Sequence, residues 1–324
     1  GLATYFREEV RKEAKNILEE LDLEDEYNLY SSGLKIYTTL DSRLQKYAEQ
    51  SMKSHLSKLQ NTYDEHWKGM SNLSPADIQP FIERSQRYQR MKTAGATAKA
   101  IDIAFDEIRE MEVFVWAAES KKVKLSPRDS IKHYVNLLNT GFLAANPKTG
   151  HILAWIGGIS HKHIQYDHVK SKRPVGSTFK PFVYAAAIDQ LRLSPCDELP
   201  DTQYCIEAGK HGNMEPWCPK NADGKYSGKN YTLKAALANS VNTVTAQLID
   251  RVGPRSVVSI VNNLGLNREI LEVPSIALGT PEINVYEMVG AYGAFANQGV
   301  YVKPVMVTRI EDKNGTVLYE YVPE

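Results

Sequence analysis

The stretch Arg173–Asp189, RPVGSTFKPFVYAAAID, is the sequence feature that most narrows what this chain can be. Its apolar, Ala-rich second half predicts a helix that begins near Ser177, and Lys180 follows three residues later. Side chains at positions i and i+3 lie on the same face of a helix. The spacing therefore predicts a hydroxyl beside an amine at the start of an apolar helix.

The pair Ser177 and Lys180 suits nucleophilic catalysis. A serine hydroxyl is a poor nucleophile until a neighbouring group takes its proton. A lysine can take that proton when desolvation or nearby positive dipoles lower its pKa. The N-terminus of the helix adds N–H groups that favour a developing oxyanion, and Pro181 is tolerated in the first turn. A capping serine followed by a solvated lysine would also explain the spacing.

A second polar pair, Ser240 and Asn242, lies about sixty residues further along, in the run LKAALANSVNTVTAQLID. Both side chains can point into one cleft if the helix ends or kinks between them. Ser240 could then shuttle a proton to a leaving group, and Asn242 could bind a substrate amide and Lys180. Taken alone, two polar residues on a helix face explain this pair better. The order Ser-x-x-Lys and then Ser-x-Asn is what makes the combination specific.

The triplet Lys148-Thr149-Gly150 has the spelling of a third box of the penicillin-interacting serine enzymes. It lies between two apolar, β-prone runs, GFLAANP and HILAWIGGI. The Pro147–Gly150 segment suits a type I turn. The pattern therefore predicts a β-hairpin with a structural turn.

The first part of the chain reads as mostly helical. An amphipathic helix is predicted near the start, with the apolar face Phe6, Val10, Ala14, Ile17 and Leu21. A short strand is predicted in SGLKIYTTLD. Asp41 then caps a long helix whose apolar residues are Leu44, Ala48, Leu56 and Leu59. Ser74-Pro75 and Ser126-Pro127 each start a further helix, by the rule of a Ser cap and Pro in the first turn.

Charge and apolar patterning exclude two classes of protein. Of the 324 residues, 39 are Lys or Arg and 39 are Asp or Glu, so the net charge is zero. That balance argues against nucleic acid as a partner. No apolar run approaches the roughly 18 residues that span a bilayer. Because the chain begins with Gly, we expect that an upstream anchor could have been removed.

The cysteines and a group of histidines are two further candidate sites. The three cysteines, Cys196, Cys205 and Cys218, cannot all pair, and none has CxxC spacing. Cys205 and Cys218 could form a disulfide in an oxidising compartment, or remain free thiols. The histidines in HKHIQYDH are His161, His163 and His168. They favour an exposed loop over a metal site, because no carboxylate or Cys set completes one.

These motifs together resemble the class A penicillin-binding proteins. Residues 173–189, 217–248 and 273–304 are similar to their transpeptidase domain, and residues 33–52 to the segment that precedes it. The resemblance implies an α+β fold. A helical or mixed linker domain, residues 1–125, would precede an incomplete transpeptidase domain of the serine β-lactamase-like type, residues 126–324.

The resemblance also implies function and site residues. Ser177, Lys180, Ser240 and Asn242 would be catalytic in a D,D-transpeptidase that cross-links peptidoglycan stem peptides outside the cytoplasmic membrane. Substrate-binding positions would be Trp217, Asn221, Gly279 and Thr280. The partners would be a D-Ala-D-Ala donor, an amine acceptor and β-lactams, with no cofactor and no metal.

In that family the Lys-Thr-Gly box follows Ser-x-Asn, on a strand bordering the cleft. No Lys-Thr-Gly or Lys-Ser-Gly follows Asn242 in this sequence. We therefore expect one oxyanion donor and the lysine that grips the substrate carboxylate to be missing. The glycosyltransferase domain and its membrane anchor are expected to be missing too.

Two rival functions remain open at this point. A β-lactamase would hydrolyse the acyl-enzyme, which needs a base for deacylation that the sequence does not identify. A scaffold or sensor domain would bind peptidoglycan or a partner without catalysis. The formation of a Ser177 adduct would separate catalysis from scaffolding.

Overall fold

The computed structural model of this chain describes residues 1–70, 72–266 and 268–323. Within them the helices are α1 Thr4–Glu20, α2 Ser42–His66, α3 Pro75–Arg84, α4 Gln86–Thr93, α5 Ala98–Asp106, α6 Pro127–Asn136, α7 Lys180–Leu191, α8 Leu233–Ala238, α9 Asn242–Val252, α10 Pro254–Asn263 and α11 Val285–Ala296. Short 3₁₀ helices span Gly176–Phe179, Lys210–Gly212 and Pro274–Leu278.

The strands are short and form small sheets. They are β1 Lys35–Thr38, β2 Arg109–Val113, β3 Lys121–Leu125, β4 Phe142–Ala145, β5 Ile152–Ile156, β6 Arg173–Pro174, β7 Glu198–Pro200, β8 Asn230–Thr232, β9 Glu282–Ile283, β10 Val307–Glu311 and β11 Val317–Glu320. One sheet has the antiparallel order β1-β10-β11, with Ile36 opposite Ile310. The remaining strands pair two by two, as β2-β3, β4-β5, β6-β9 and β7-β8. The predicted α+β fold is confirmed.

By its internal contacts the chain divides into two units that interleave along the sequence. One unit comprises Gly1–Glu9, Asp41–Phe142 and Trp155–His168, and the other comprises Val10–Leu40, Leu143–Ala154 and Val169–Glu324. The domain boundary expected near residue 125 stays a prediction.

Local signals locate several helix starts correctly. Asp41 caps α2 by accepting hydrogen bonds from the N–H groups of Arg43 and Leu44. Ser74 forms a capping box with Asp77 at the start of α3, and Ser126 caps α6. These side chains accept hydrogen bonds from backbone N–H groups in the first helical turn, which have no partner within the helix. The predictions at all three positions are confirmed.

The predicted apolar face of α2 is partly wrong. Leu44 and Leu59 are exposed by 40% and 44%, whereas Gln45 and Gln60 are buried. The Gln45 amide pairs with both backbone groups of Trp155, accepting from its N–H at 2.7 Å and donating to its carbonyl at 2.9 Å. Gln60 likewise pairs with the backbone carbonyl of Asn136 and the N–H of Leu138. A side-chain amide thus occupies the inner face because it satisfies buried backbone groups.

A smaller correction concerns α1. The helix ends at Glu20, and Leu21 beyond it is 43% exposed. Leu18 occupies the buried position instead, at 2% exposure.

The second unit contains the larger apolar core. It is built chiefly from α7, α9, α10 and the 3₁₀ helix Pro274–Leu278. Phe179, Phe182 and Val183 are completely buried in this core. They anchor the beginning of α7, so the segment just before it has a fixed position at the surface.

The triplet Lys148-Thr149-Gly150 lies in the tight connection between β4 and β5, as predicted. The Gly150 N–H donates to the Asn146 carbonyl at 2.9 Å, so the turn spans one residue more than the expected type I turn. Gly150 has a φ of +71°, and a Cβ there would lie 2.2 Å from the Lys303 carbonyl oxygen. Only glycine fits this position without strain.

Candidate active site

Ser177 lies on the short 3₁₀ helix Gly176–Phe179 that leads directly into α7. The predicted helix therefore begins in two stages, with Ser177 just outside its regular part. Ser177 is exposed, while Phe179 and Lys180 on the same turn are buried. Among the described residues, its hydroxyl makes no hydrogen bond to another protein group, which leaves the oxygen accessible to a substrate.

Gly279 supports the turn that carries Ser177. Gly176 donates its N–H to the Gly279 carbonyl at 3.0 Å, and Val175 donates to the Pro281 carbonyl at 3.2 Å. Gly279 has a φ of +77°, and a Cβ on it would lie 1.9 Å from the Gly176 carbonyl oxygen. The backbones of Gly176 and Gly279 are thus in direct contact next to Ser177. Thr280, the next residue, is exposed.

The helix break that would let Ser240 and Asn242 point into one cleft is present. Helix α8 ends at Ala238 and α9 begins at Asn242. Ser240 has a φ of +55°, and the N–H groups of Ser240 and Val241 donate to the carbonyls of Leu237 and Ala236. This is the Schellman arrangement of a helix end, in which glycine usually takes the left-handed position. A serine there costs about 1–2 kcal/mol in backbone strain, but it turns both the hydroxyl and the carbonyl of Ser240 toward Lys180.

Lys180 is completely buried, and its amine makes three hydrogen bonds. Its amine donates to the Ser240 carbonyl at 2.6 Å, to the Ser240 hydroxyl at 3.0 Å and to Asn242 Oδ1 at 2.5 Å. Desolvation by burial lowers the pKa of Lys180 to about 8. The amine is therefore close enough to neutrality to act as a base near physiological pH.

The geometry also fixes which contacts survive when Lys180 loses a proton. The Ser240 carbonyl and Asn242 Oδ1 can only accept hydrogen bonds, whereas a hydroxyl can also donate. A neutral amine can keep both acceptors and receive the proton of the Ser240 hydroxyl. The Lys180 amine and the Ser240 hydroxyl thus form a path along which a proton can move, while the two acceptors hold the amine in place.

Asn242 is oriented by the loop that contains Asn221. Asn242 Nδ2 donates to the Lys220 carbonyl at 2.7 Å, which leaves its Oδ1 facing Lys180. The backbone N–H of Asn242 donates to Asn221 Oδ1 at 2.9 Å. Asn221, predicted as a substrate-binding residue, thus also has a supporting contact with the Ser-x-Asn segment.

One residue of this network was missed by sequence reasoning. Asp201, just after β7, is only 3% exposed and accepts hydrogen bonds from Thr243, Asn221 and the Ser227 N–H. Burial alone would raise the pKa of Asp201, but these hydrogen bonds outweigh it and lower the value to about 2. Its partners are 20 to 42 residues away in the chain, so no local spacing could have indicated it.

Trp217 lies beside a disulfide between Cys205 and Cys218. The backbone of Trp217 exchanges two hydrogen bonds with Ile206, at 2.8 and 2.9 Å, and its ring packs partly buried against the core. Of the two alternatives left open for Cys205 and Cys218, the structure has the disulfide. Cys196 is a free, exposed thiol.

The three candidate histidines do not gather into one cluster. His163 contacts the Ser120 hydroxyl at 2.7 Å and the Tyr134 hydroxyl at 3.2 Å. His161 packs edge-on against Tyr5. Within the described residues, no group of three or more His, Cys, Asp or Glu side chains is placed to hold a metal ion. Likewise, no described helix combines the length and the apolar character needed to cross a membrane.

Comparison with known proteins gives two family matches. Residues 140–323 match the penicillin binding protein transpeptidase domain, and residues 64–138 match the penicillin-binding protein middle domain. The chain is 30% identical over 341 residues to penicillin-binding protein 1A of Rickettsia bellii, covering 98% of this chain and 42% of that protein. It is 31% identical over 321 residues to penicillin-binding protein 1A of Aquifex aeolicus, covering 91% and 41%.

A solved structure has the same fold. The crystal structure of penicillin-binding protein 1A from Haemophilus influenzae matches with a TM-score of 0.67 at 22% identity, covering 99% of this chain and 50% of that one. By length, the chain spans about two fifths of the Rickettsia bellii and Aquifex aeolicus proteins.

Proposed function

This chain belongs to the penicillin-binding protein transpeptidase family, and we propose that it carries the acyl-transfer site of a peptidoglycan D,D-transpeptidase, with Ser177 as the nucleophile. The observation that carries the proposal is the buried amine of Lys180. It follows the exposed Ser177 by one turn and is held by Ser240 and Asn242. A buried amine with a lowered pKa, one helical turn from an accessible hydroxyl, is the arrangement that a serine acyltransferase needs.

The first half-reaction forms an acyl-enzyme. With a pKa of about 8, about one Lys180 amine in ten is neutral at pH 7 and can accept a proton. As the Ser177 hydroxyl rotates toward the amine, its proton passes to Lys180, and its oxygen bonds to the carbonyl carbon of the penultimate D-Ala. The peptide C–N bond then breaks, and the terminal D-Ala leaves with a proton supplied through Ser240.

The second half-reaction returns the enzyme to its starting state. An amine of another stem peptide bonds to the acyl carbon and loses a proton to the Lys180–Ser240 pair. The bond from the acyl carbon to Ser177 Oγ then breaks, and that oxygen takes the proton from Lys180. A β-lactam presents a strained amide in place of the dipeptide. Opening of its ring leaves the leaving group tethered in the site, so the adduct on Ser177 persists.

The contacts around the serine favour transfer over hydrolysis. Among the described residues, no carboxylate hydrogen-bonds to Ser177 or Lys180. A hydrolase of the β-lactamase type needs a base that activates water against the acyl-enzyme. We therefore propose slow deacylation and a long-lived β-lactam adduct.

We also propose that the site works outside the cytoplasm. Its substrate, cross-linkable peptidoglycan, is found there, and the relatives reported above are penicillin-binding proteins 1A. The Cys205–Cys218 disulfide supports this location, because disulfides persist in oxidising compartments.

Labelling with a fluorescent penicillin tests the proposal. The label should appear on the peptide that carries Ser177, and fragmentation should assign it to Ser177 and not to Thr178. Ser177→Ala should abolish labelling, while Thr178→Ala, the matched change in the same turn, should retain it. Equal labelling of Ser177→Ala would contradict the assignment of the nucleophile, and an absence of any adduct would favour a scaffold.

A further inference from the structure

Asp201 joins two segments that meet at the Ser-x-Asn box. Its Oδ1 accepts from Thr243 Oγ1 at 2.7 Å and from Asn221 Nδ2 at 2.8 Å, and its Oδ2 accepts from the Ser227 N–H at 2.8 Å. Thr243 directly follows Asn242 in α9, so one oxygen of Asp201 contacts both the box and the loop that supports it.

The direction of these hydrogen bonds matters more than their number. A carboxylate can only accept, so the NH₂ of Asn221 must face Asp201. The same NH₂ group also donates to the Lys225 carbonyl at 2.9 Å. The oxygen of the Asn221 amide is therefore turned away from Asp201, and it accepts the backbone N–H of Asn242 at 2.9 Å. An amide in the opposite orientation would present a donor to that N–H.

From this chain of contacts we infer that Asp201 is a positioning residue for acyl transfer. It sets the orientation of the Asn221 amide and, through it, the backbone position of Asn242. Asn242 in turn holds the amine of Lys180. The inference rests on the function proposed above for Ser177 and Lys180, but its structural part can be measured without a substrate.

The variant Asp201→Asn tests the relay with almost no change in volume. One carboxylate oxygen becomes an NH₂ group, which must face either the donors of Thr243 and Asn221 or the N–H of Ser227. Both orientations place a donor against a donor. One orientation removes the acceptor of the Asn221 NH₂ group at position 201, and the other removes the acceptor of the Ser227 N–H in the same loop. Either way, the loop that holds the Asn242 N–H loses a contact with residue 201, and the Lys225 carbonyl remains as an acceptor for Asn221.

The first measurement is amide hydrogen exchange of the ligand-free protein. The Asn242 N–H should exchange at least tenfold faster in Asp201→Asn than in the unmodified protein, while amides in the middle of α7 and α10 should be unchanged. Unchanged exchange at Asn242 would overturn the relay. Faster exchange in all of these helices would mean that Asp201 serves folding alone.

The second measurement is the acylation rate constant with a β-lactam in Asp201→Asn, Asn221→Ala and the double variant. Each single change should slow acylation at least tenfold. The double variant should be no more than about threefold slower than the worse single variant, because both changes break the same path. If each change only lowered the stability of the protein, the two losses of rate would instead multiply in the double variant.

A matched control comes from another buried carboxylate, Asp250 at the far end of α9. Asp250 accepts hydrogen bonds from Tyr204 at 2.6 Å, Lys210 at 2.8 Å and His211 at 3.0 Å, and it makes no contact with the box. Asp250→Asn should lower the melting temperature but leave the acylation rate constant within about threefold.

The outcomes separate this inference from the proposed function. Multiplicative effects in the double variant, or an equal loss of rate in Asp250→Asn, would overturn the positioning role while Ser177 labelling stays intact. If the unmodified protein formed no Ser177 adduct, the proposed function would fail, and the exchange experiment would still decide whether Asp201 positions Asn242.

Discussion

The variant Asn242→Asp would test whether the neutral amine of Lys180 is the base. Asn and Asp have nearly the same shape, so the change replaces the amide oxygen 2.5 Å from the amine with a carboxylate oxygen. A negative charge at that distance stabilises the ammonium form and raises the pKa of Lys180. The active form of the enzyme should therefore become rarer at neutral pH.

The size of the effect follows from the environment of Lys180. Desolvation lowers the pKa from 10.5 to about 8, a penalty on the charged form of about 3 kcal/mol. An opposite charge within a few ångströms shifts a pKa by about 1–3 units, which would raise it to about 9–11. At pH 7 the neutral fraction would fall from about one in ten to between one in a hundred and one in ten thousand. Acylation should slow by the same factor, about 10- to 1,000-fold.

The assay is the acylation rate constant for a β-lactam, measured by stopped flow from pH 6 to pH 10.5. In the unmodified protein the rate should rise with pH, because proton loss creates the base, with its midpoint near pH 8 and a plateau above that. In Asn242→Asp the same curve should have its midpoint at least one pH unit higher. Asn242→Ala is the control, since it removes the acceptor without adding charge and should not raise the midpoint.

Two results would refute this reasoning. One is acylation by Asn242→Asp within threefold of the unmodified protein at pH 7. The other is a midpoint that stays near pH 8 in Asn242→Asp while the rate falls, which would assign the loss to geometry and not to the protonation state of Lys180.

Three further predictions concern the hairpin turn and the fold. Lys148→Ala should leave acylation within about threefold, because an exposed turn residue contributes little; a loss beyond tenfold would place it in the site. Gln45→Leu should lower the free energy of unfolding by about 2 kcal/mol in urea titrations, since it removes two hydrogen bonds to the buried backbone of Trp155; a loss under about 0.5 kcal/mol would contradict this. Gly150→Ala should lower the melting temperature more than Gly299→Ala, because φ is positive at both but only Gly150 has a backbone oxygen 2.2 Å from the added carbon; equal losses would show that the contact relaxes.

Local chemistry in the sequence predicted much of the secondary structure. The caps at Asp41, Ser74 and Ser126 and the turn between β4 and β5 each depend on residues a few positions apart. A capping side chain or a turn glycine acts on the backbone beside it. Such signals can be read without knowing what the segment packs against.

The candidate site was predicted in part, for the same reason. Ser177 and Lys180 are one turn apart, and Ser240 and Asn242 flank one helix end, so each pair is visible in the sequence. A contact between Asn242 and Lys180 was expected from the motif, but the hydrogen bonds from the Lys180 amine to the carbonyl and hydroxyl of Ser240 were not. The lowered pKa of Lys180 depends on its burial in the surrounding core, and the spacing of residues in the sequence does not predict that burial.

The tertiary structure alone decided which polar residues are buried. Gln45 displaced Leu44 from the inner face of α2 because a strand backbone 110 residues away needs its amide. Asp201 became part of the candidate site, and Asn221 gained a supporting contact there, because their partners arrive from distant segments. Periodicity ranks side chains by hydrophobicity, but a buried backbone N–H or carbonyl must find a hydrogen-bond partner. Which side chain supplies that partner depends on the segments that meet in the folded protein.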